Sequence, residues 1–199
     1  MNEERIKKTA EKTGMANEKT LTIISNAILA TKDLAGDVVE LGCYMGVTTR
    51  FMCETLKEMG SDKRVHVFDS FKGVPKLDEE DEGSALHIPE GGCCASYAGF
   101  MKTFDGADFP LPFVNEGWFE ETLPHRLPEK ISVAFLDGDR YSSLKISLES
   151  VLPRMTKGGF VIMHDYACLL GAQKAINEHR EDFTMFHVDG NESWAVVYK

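Results

Sequence analysis

Four places in the chain set polar, chemically capable residues directly after a short apolar run. Val38–Leu41 leads into Gly42-Cys43-Tyr44-Met45-Gly46, and Val65–Phe68 leads into Asp69-Ser70-Phe71. Val133–Leu136 leads into Asp137-Gly138-Asp139-Arg140-Tyr141, and Phe160–Met163 into His164-Asp165-Tyr166. Glycines at 42 and 46 permit a tight turn and a close approach of backbone to a ligand, with a helix start behind them. Dinucleotide binding asks for G-x-G-x-x-G, so that pyrophosphate can rest on the helix terminus. Here Tyr44 stands where the middle glycine belongs, which crowds a pyrophosphate. Asp69, one strand over, is suited to accept the two hydroxyls of a ribose, the alternative being a cap on its own turn. The ligand read from these two turns is a nucleoside without a pyrophosphate.

The other two turns carry acid–base and metal chemistry. Asp137, Asp139, His164 and Asp165 follow strands that would lie about 5 Å apart if adjacent. Three such ligands with open positions suit Mg²⁺ or another hard divalent ion. Without a metal, His164 or Asp139 is placed to act as general base. The alternative is that Asp137 and Asp165 cap the following helices and His164 is a core histidine. Several acids facing one another weigh against that, because uncompensated like charges in a cleft signal a cation or a shared proton.

These turns need strands and helices to hold them. Leu21, Ile24 and Ile28 recur at helical spacing behind Asn17, a candidate cap, so residues 1–35 read as an N-terminal helical extension. From 36 onward short apolar runs, including Phe113–Val114, alternate with helical stretches, and the reading is a single α/β domain over 36–199. Phe183–Val188 and Trp194–Tyr198 flank the turn-forming Asp189-Gly190-Asn191-Glu192 and read as a C-terminal antiparallel hairpin. The expected sheet is doubly wound, mostly parallel and seven-stranded. Between 72 and 109 the alternation lapses into glycine, proline and acids. That stretch is expected to be a lid or acceptor loop with a helix near Ser96–Thr103, and its acid run Asp78–Asp81 a solvated face.

Composition closes off several classes. Of 199 residues, 43% are hydrophobic, enough for one core, and 22 Lys plus Arg against 32 Asp plus Glu leave a net charge of −10. That balance disfavours nucleic acid and anionic membranes as partners. The apolar runs are too short for a membrane span of roughly 18 residues, and the start is acidic, so a cytoplasmic protein is expected. Cys43, Cys53, Cys93, Cys94 and Cys168 make an odd count without zinc spacing and read as reduced packing thiols.

Five blocks in order resemble class I S-adenosylmethionine-dependent methyltransferases, and more narrowly the macrocin O-methyltransferase family. They are residues 36–42, 67–75, Glu116–Phe119 with Thr122-Leu123-Pro124, Leu136–Tyr141 and Gly158–Ile162. The resemblance implies a Rossmann-like fold and S-adenosylmethionine lying along Glu40, Gly42, Tyr44 and Gly46. The ribose would rest on Asp69, and the adenine near Ser70, Phe71, Gly117 and Trp118. It further implies Mg²⁺ on Asp137 and Asp165, with Asp137 also beside the cofactor. His164 stands where the family has a second acid, which turns the site toward a softer ion such as Mn²⁺ or toward a base. The chain before the first strand is shorter than is usual for the family, so the reaction class carries over and the macrolide acceptor does not.

The expected activity is O-methyl transfer to a small hydroxylated acceptor such as a sugar, polyol or natural product. Trp118, Phe119 and Tyr166 are candidates to face the sulfonium or the acceptor, and a homo-oligomer is a candidate assembly. Two rivals stand beside this reading: a non-catalytic nucleoside-binding regulator and a nicotinamide-dependent dehydrogenase.

Overall fold

The apolar runs become parallel strands in the structure, a computed structural model that describes residues 3–13, 16–164, 166–179, 181, 183–187 and 194–198. They are β1 (Asp37–Leu41), β2 (Val65–Asp69), β3 (Phe113–Glu116), β4 (Ile131–Leu136) and β5 (Met155–Met163), ordered β3-β2-β1-β4-β5. Every residue of β4 is buried, as a strand covered on both faces requires.

Helices α1 (Glu3–Thr13), α2 (Glu18–Ala30) and α3 (Val47–Glu58) cover one face. There Leu21, Ile24, Ile28, Phe51 and Met52 pack on Val38, Val67, Phe135 and Ile162. Asn17 caps α2, its side-chain oxygen accepting the Thr20 N–H at 3.0 Å. Residues Glu3–Thr13, ahead of that cap, are themselves helical. Arg5 ties α1 to α3, stacking 4.4 Å over Phe51 and donating to the Thr55 hydroxyl at 3.0 Å. On the other face lie α5 (Phe119–Arg126), α6 (Tyr141–Val151) and α7 (Leu170–Glu178). Their Leu123, Leu144, Leu148, Ala172 and Ile176 pack on Val39, Leu41, Phe68 and Leu136. Each fully buried Leu, Ile or Phe contributes about 1.5–3 kcal/mol. Because both faces are loaded in this way, the sheet is a rigid frame and its strand ends are fixed points.

Register aligns those ends. Leu41 pairs with Phe68 on one side and Leu136 on the other, and Leu136 pairs with Met163. The ladder runs one residue further: Gly42 donates its N–H to Phe68 (2.9 Å), Asp137 to Leu41 (2.8 Å) and His164 to Leu136 (2.9 Å). The residues just past the strands therefore share one row, and the chain winds away in opposite directions from β1 and β4. Such a reversal opens a crevice beyond the carboxyl ends of the strands.

The 72–109 segment folds over that crevice and contains α4 (Tyr97–Lys102) and a 3-10 turn at Glu79–Asp81. Its acid run is a solvated face only in part: Glu79 is exposed, whereas Asp78 and Asp81 are turned to α6. Asp81 is 2% exposed and accepts the Tyr141 N–H at 3.1 Å, while Asp78 accepts the Ser142 N–H at 2.9 Å. The first turn of a helix leaves N–H groups unpaired, and these two carboxylates satisfy a pair of them on α6. Two further strands, β6 (Phe183–His187) and β7 (Trp194–Tyr198), follow α7; the turn expected at 189–192 lies outside the described residues. No helix among the described residues is long and apolar enough to cross a membrane.

Candidate active site

A cavity of about 610 Å³ opens at the crevice. Eight of the residues singled out in the sequence line it: Gly42, Tyr44, Asp69, Ser70, Trp118, Asp137, Asp139 and His164. The row set by strand register brings the β1, β2, β4 and β5 members together. Glu40, Gly46, Phe71 and Gly117 do not line the cavity, and Asp165 lies outside the described residues.

Asp69 is a clamp on the display side of the first turn. One carboxylate oxygen accepts the N–H groups of Cys43 (2.8 Å) and Tyr44 (3.1 Å), and the other accepts that of Phe71 (2.8 Å). A carboxylate has about four lone-pair sites, so these three bonds leave capacity for one more donor from the cavity. The clamp also explains how Tyr44 and Phe71 hold left-handed backbone, at φ 47° and 54°, which costs a side-chain-bearing residue roughly 1–2 kcal/mol.

The glycines serve a different purpose from the one their spacing suggested. A Cβ on Gly42, at φ 86°, would collide with the carbonyl oxygen of Asp137. The residue is small so that the turns after β1 and β4 can touch. A Cβ on Gly46 would sit 2.6 Å from the Phe100 ring, so that glycine admits the lid helix rather than a ligand. Gly117 donates its N–H to the Asp69 carbonyl at 3.0 Å, and a Cβ there would lie 2.8 Å from the Thr122 methyl. Phe71 turns from the cavity into the apolar cluster, edge-on to Tyr97 and Phe100 at 5.6 Å each.

Glu40 lies within β1 and is 1% exposed. Thr49 donates to one of its oxygens and the other has no partner in the structure. Burial, with help from the nearby Asp137 and Asp69 charges, pushes its carboxyl up to about 8. It ties β1 to α3 through Thr49. Burial likewise raises the thiols of Cys43 and Cys53, the latter to about 12.

Asp137 and His164 meet in the cavity. The Asp137 carboxylate is 3.1 Å from Nδ1 of His164, whose ring is 7% exposed and edge-on to Phe135 at 5.9 Å. A carboxylate at that distance helps orient an imidazole. The same separation fits two neighbouring ligands of an octahedral ion at about 2.1 Å from each. Among the described residues no group of three or more His, Cys, Asp or Glu could hold a metal; Asp165, the third ligand expected from the sequence, lies outside them.

Sequence reasoning placed a lid or acceptor loop at 72–109 but named none of the residues that line the opposite wall. Val74, Pro75, Leu86, Ile88 and Cys93 come from the lid, and Ser142, Ser143 and Ile146 from α6. The α6 residues had a usable signal, since they follow the Asp137-Gly138-Asp139 turn into the first turn of a helix. The lid residues had none, being set by contacts distant in sequence. Trp118 and Phe119 line the cavity, whereas Tyr166 does not; it is half-buried against the apolar cluster beneath α5, α6 and α7.

The family model described as Macrocin-O-methyltransferase (TylF) matches residues 9–197. A tetracenomycin enzyme of Streptomyces olivaceus, 8-demethyl-8-(2,3-dimethoxy-alpha-L-rhamnosyl)-tetracenomycin-C 4'-O-methyltransferase, is 34% identical over 153 residues, 73% of this chain and 58% of that protein. Demethyldecarbamoylnovobiocin O-methyltransferase of Streptomyces niveus is 31% identical over 159 residues, 76% of this chain and 60% of its own. The chain thus spans about three fifths of the length of these curated relatives. Among solved structures, that of the O-methyltransferase NovP superposes with a TM-score of 0.81 at 26% identity, over 92% of this chain and 81% of that one.

Proposed function

The chain belongs to the macrocin-O-methyltransferase (TylF) family, and from that premise we propose that it moves a methyl group from S-adenosylmethionine to a hydroxyl oxygen of a small natural product. The observation that carries the proposal is the single cavity onto which Gly42, Asp69, Asp137 and His164 converge. Its volume lies in the range of about 300–1,000 Å³ typical of small-molecule sites.

Bound S-adenosylmethionine supplies an electrophilic methyl carbon on a sulfonium. Asp69 and the 43–44 backbone it clamps hold the ribose side, beside Ser70 and Trp118. Tyr44 stands where a dinucleotide fingerprint has its middle glycine, which argues against a nicotinamide cofactor. On the far side, the acceptor oxygen is directed to the methyl carbon in line with the bond to sulfur. The new bond is C–O, the broken one C–S, and its electron pair leaves on sulfur. His164, oriented by Asp137, or Asp139 on the next turn takes the hydroxyl proton. General-base assistance of this kind is worth about 10²–10⁴-fold, and holding the pair in near-attack geometry roughly 7–11 kcal/mol.

The relatives' names carry sugar-bearing natural products, and an apolar lid wall of Val74, Pro75, Leu86 and Ile88 suits a glycoside with an apolar body. A divalent ion on Asp137, His164 and Asp165 is the metal-assisted form of the same proposal, supported by the 3.1 Å carboxylate–imidazole spacing. We also read β6 and β7 as an antiparallel hairpin extending the sheet to seven strands. Supporting it, Phe160–Met163 pairs antiparallel with Trp194–Val197, and Phe183–His187 with Trp194–Tyr198.

The test is transfer of labelled methyl from S-adenosylmethionine to a panel of demethyl glycosides, with Mg²⁺ or with EDTA. The expected result is a methyl ether on at least one acceptor. Loss of turnover in EDTA selects the metal-assisted form, and an unchanged rate selects the base. Cofactor binding with no transfer to any hydroxyl would overturn the catalytic reading in favour of a nucleoside-binding regulator.

A further inference from the structure

We propose that Arg140 is a positioning residue that latches the acceptor-side wall of the cavity to the catalytic turn. Arg140 heads the fully buried side chains by volume and is 2% exposed. A guanidinium out of water must be hydrogen-bonded. Its Nε donates to the Pro75 carbonyl at 3.3 Å and a terminal nitrogen donates to the Ile88 carbonyl. Those carbonyls lie 65 and 52 residues away in sequence, on the two limbs of the lid, and both residues line the cavity.

The backbone of Arg140 sits at the hinge of the chemistry. Asp139, before it, lines the cavity in a left-handed conformation at φ 60°. Tyr141, after it, opens α6 and is held by Asp81, with Asp78 holding Ser142. The two lid limbs are also tied to each other, Val74 and Gly92 by a 2.9 Å bond and Gly91 and Val74 by another of 2.9 Å. The arginine is thus the one side chain among the described residues seen to bond both limbs while belonging to the Asp137–Asp139 turn. Guanidinium suits this task because its planar fork presents several fixed donors and stays charged at every relevant pH.

The consequence is a split between the two sides of the cavity. The Asp69 clamp on Cys43, Tyr44 and Phe71 shares no bond with the latch. Cutting the latch therefore frees Pro75 and Ile88 to drift from the catalytic turn while the nucleoside side keeps its shape. This assignment of sides rests on the methyltransferase reading above.

The experiment uses Arg140→Ala and Arg140→Lys in the full chain, with three readouts. Titration with S-adenosylhomocysteine should give dissociation constants within threefold of wild type. Amide exchange at Val74 and Gly91 should quicken at least tenfold in Arg140→Ala, with Gly42 and Asp137 unchanged. Methyl transfer to the best acceptor of the panel should lose at least tenfold in kcat/KM, mainly through KM. Millimolar methylguanidinium should restore part of it, and Arg140→Lys should fall between. Unchanged exchange at Val74 and Gly91, or a parallel collapse of S-adenosylhomocysteine binding and acceptor turnover, would overturn the latch. If Arg140→Ala is insoluble, Arg140→Lys carries the same comparison. Wild-type protein that binds no S-adenosylhomocysteine would sink the functional reading instead, and the exchange data would still decide the latch.

Discussion

The two walls of the cavity are built by different physics. The strand-end wall is a row of residues one step past β1, β2, β4 and β5, placed by a hydrogen-bond ladder whose register is set by buried apolar strands. The lid wall is tied down by scattered single bonds: Arg140 to two carbonyls, Asp81 and Asp78 to two α6 N–H groups, Ala85 and Leu86 to the Cys168 carbonyl, Leu170 to the Ser84 hydroxyl, and Lys174 to Glu80. Local stability tracks buried apolar contact and backbone pairing, so the first wall is the rigid one and the second the adaptable one. In the proposed reaction, chemistry sits on the rigid wall and acceptor choice on the adaptable wall.

Changes to the rigid wall should hurt most. Asp137→Ala should lower methyl transfer by about 10²–10⁴-fold and leave S-adenosylhomocysteine affinity within a few-fold. A rate within threefold of wild type would place the chemistry elsewhere. Next comes the buried carboxyl beneath that wall. Because the folded state holds the Glu40 proton to about 8, against 4.5 ordinarily, its contribution to stability is full below pH 4.5 and declines as pH rises toward 8. At about 1.4 kcal/mol per pH unit, the decline is on the order of 5 kcal/mol. Urea unfolding of Glu40→Gln across pH 4–9 should remove that part of the slope, leaving the variant the more stable protein above pH 8. A wild-type-to-variant difference that stays flat with pH would contradict the burial.

Gly42→Ala drives a methyl into the Asp137 carbonyl at a left-handed position. It should cost roughly 2–4 kcal/mol by urea denaturation, from backbone strain and overpacking together. On the adaptable wall, Asp78→Ala removes one acceptor from the start of α6 and should cost about 1 kcal/mol. A loss from Asp78→Ala equal to that from Gly42→Ala would erase the distinction between the walls.

The same difference explains how much could be read in the sequence. Glycines and acids after apolar runs mark strand ends locally, so Gly42, Asp69, Asp137 and His164 were legible, as was the parallel order they imply. Legible residues still carried unread reasons. Gly42 makes room for Asp137, Gly46 makes room for Phe100, and Phe71 turns into the core because Tyr97 and Phe100 meet it there. Asp78 and Asp81 looked like solvated charge because their partners are N–H groups of Tyr141 and Ser142, some sixty residues away. No local pattern reports such a pairing. Arg140 stood in a quoted motif, yet its burial depends on carbonyls at 75 and 88 that carry no side-chain signature.

The central claim is that the strand-end row holds an adenosyl group by its ribose. Calorimetric titration of wild type and Asp69→Ala with S-adenosylhomocysteine, and of wild type with NAD, tests it most directly. The account predicts micromolar binding by wild type, a loss of at least tenfold in Asp69→Ala, and no heat with NAD. Equal affinity in both proteins, or tighter binding of NAD, would contradict it.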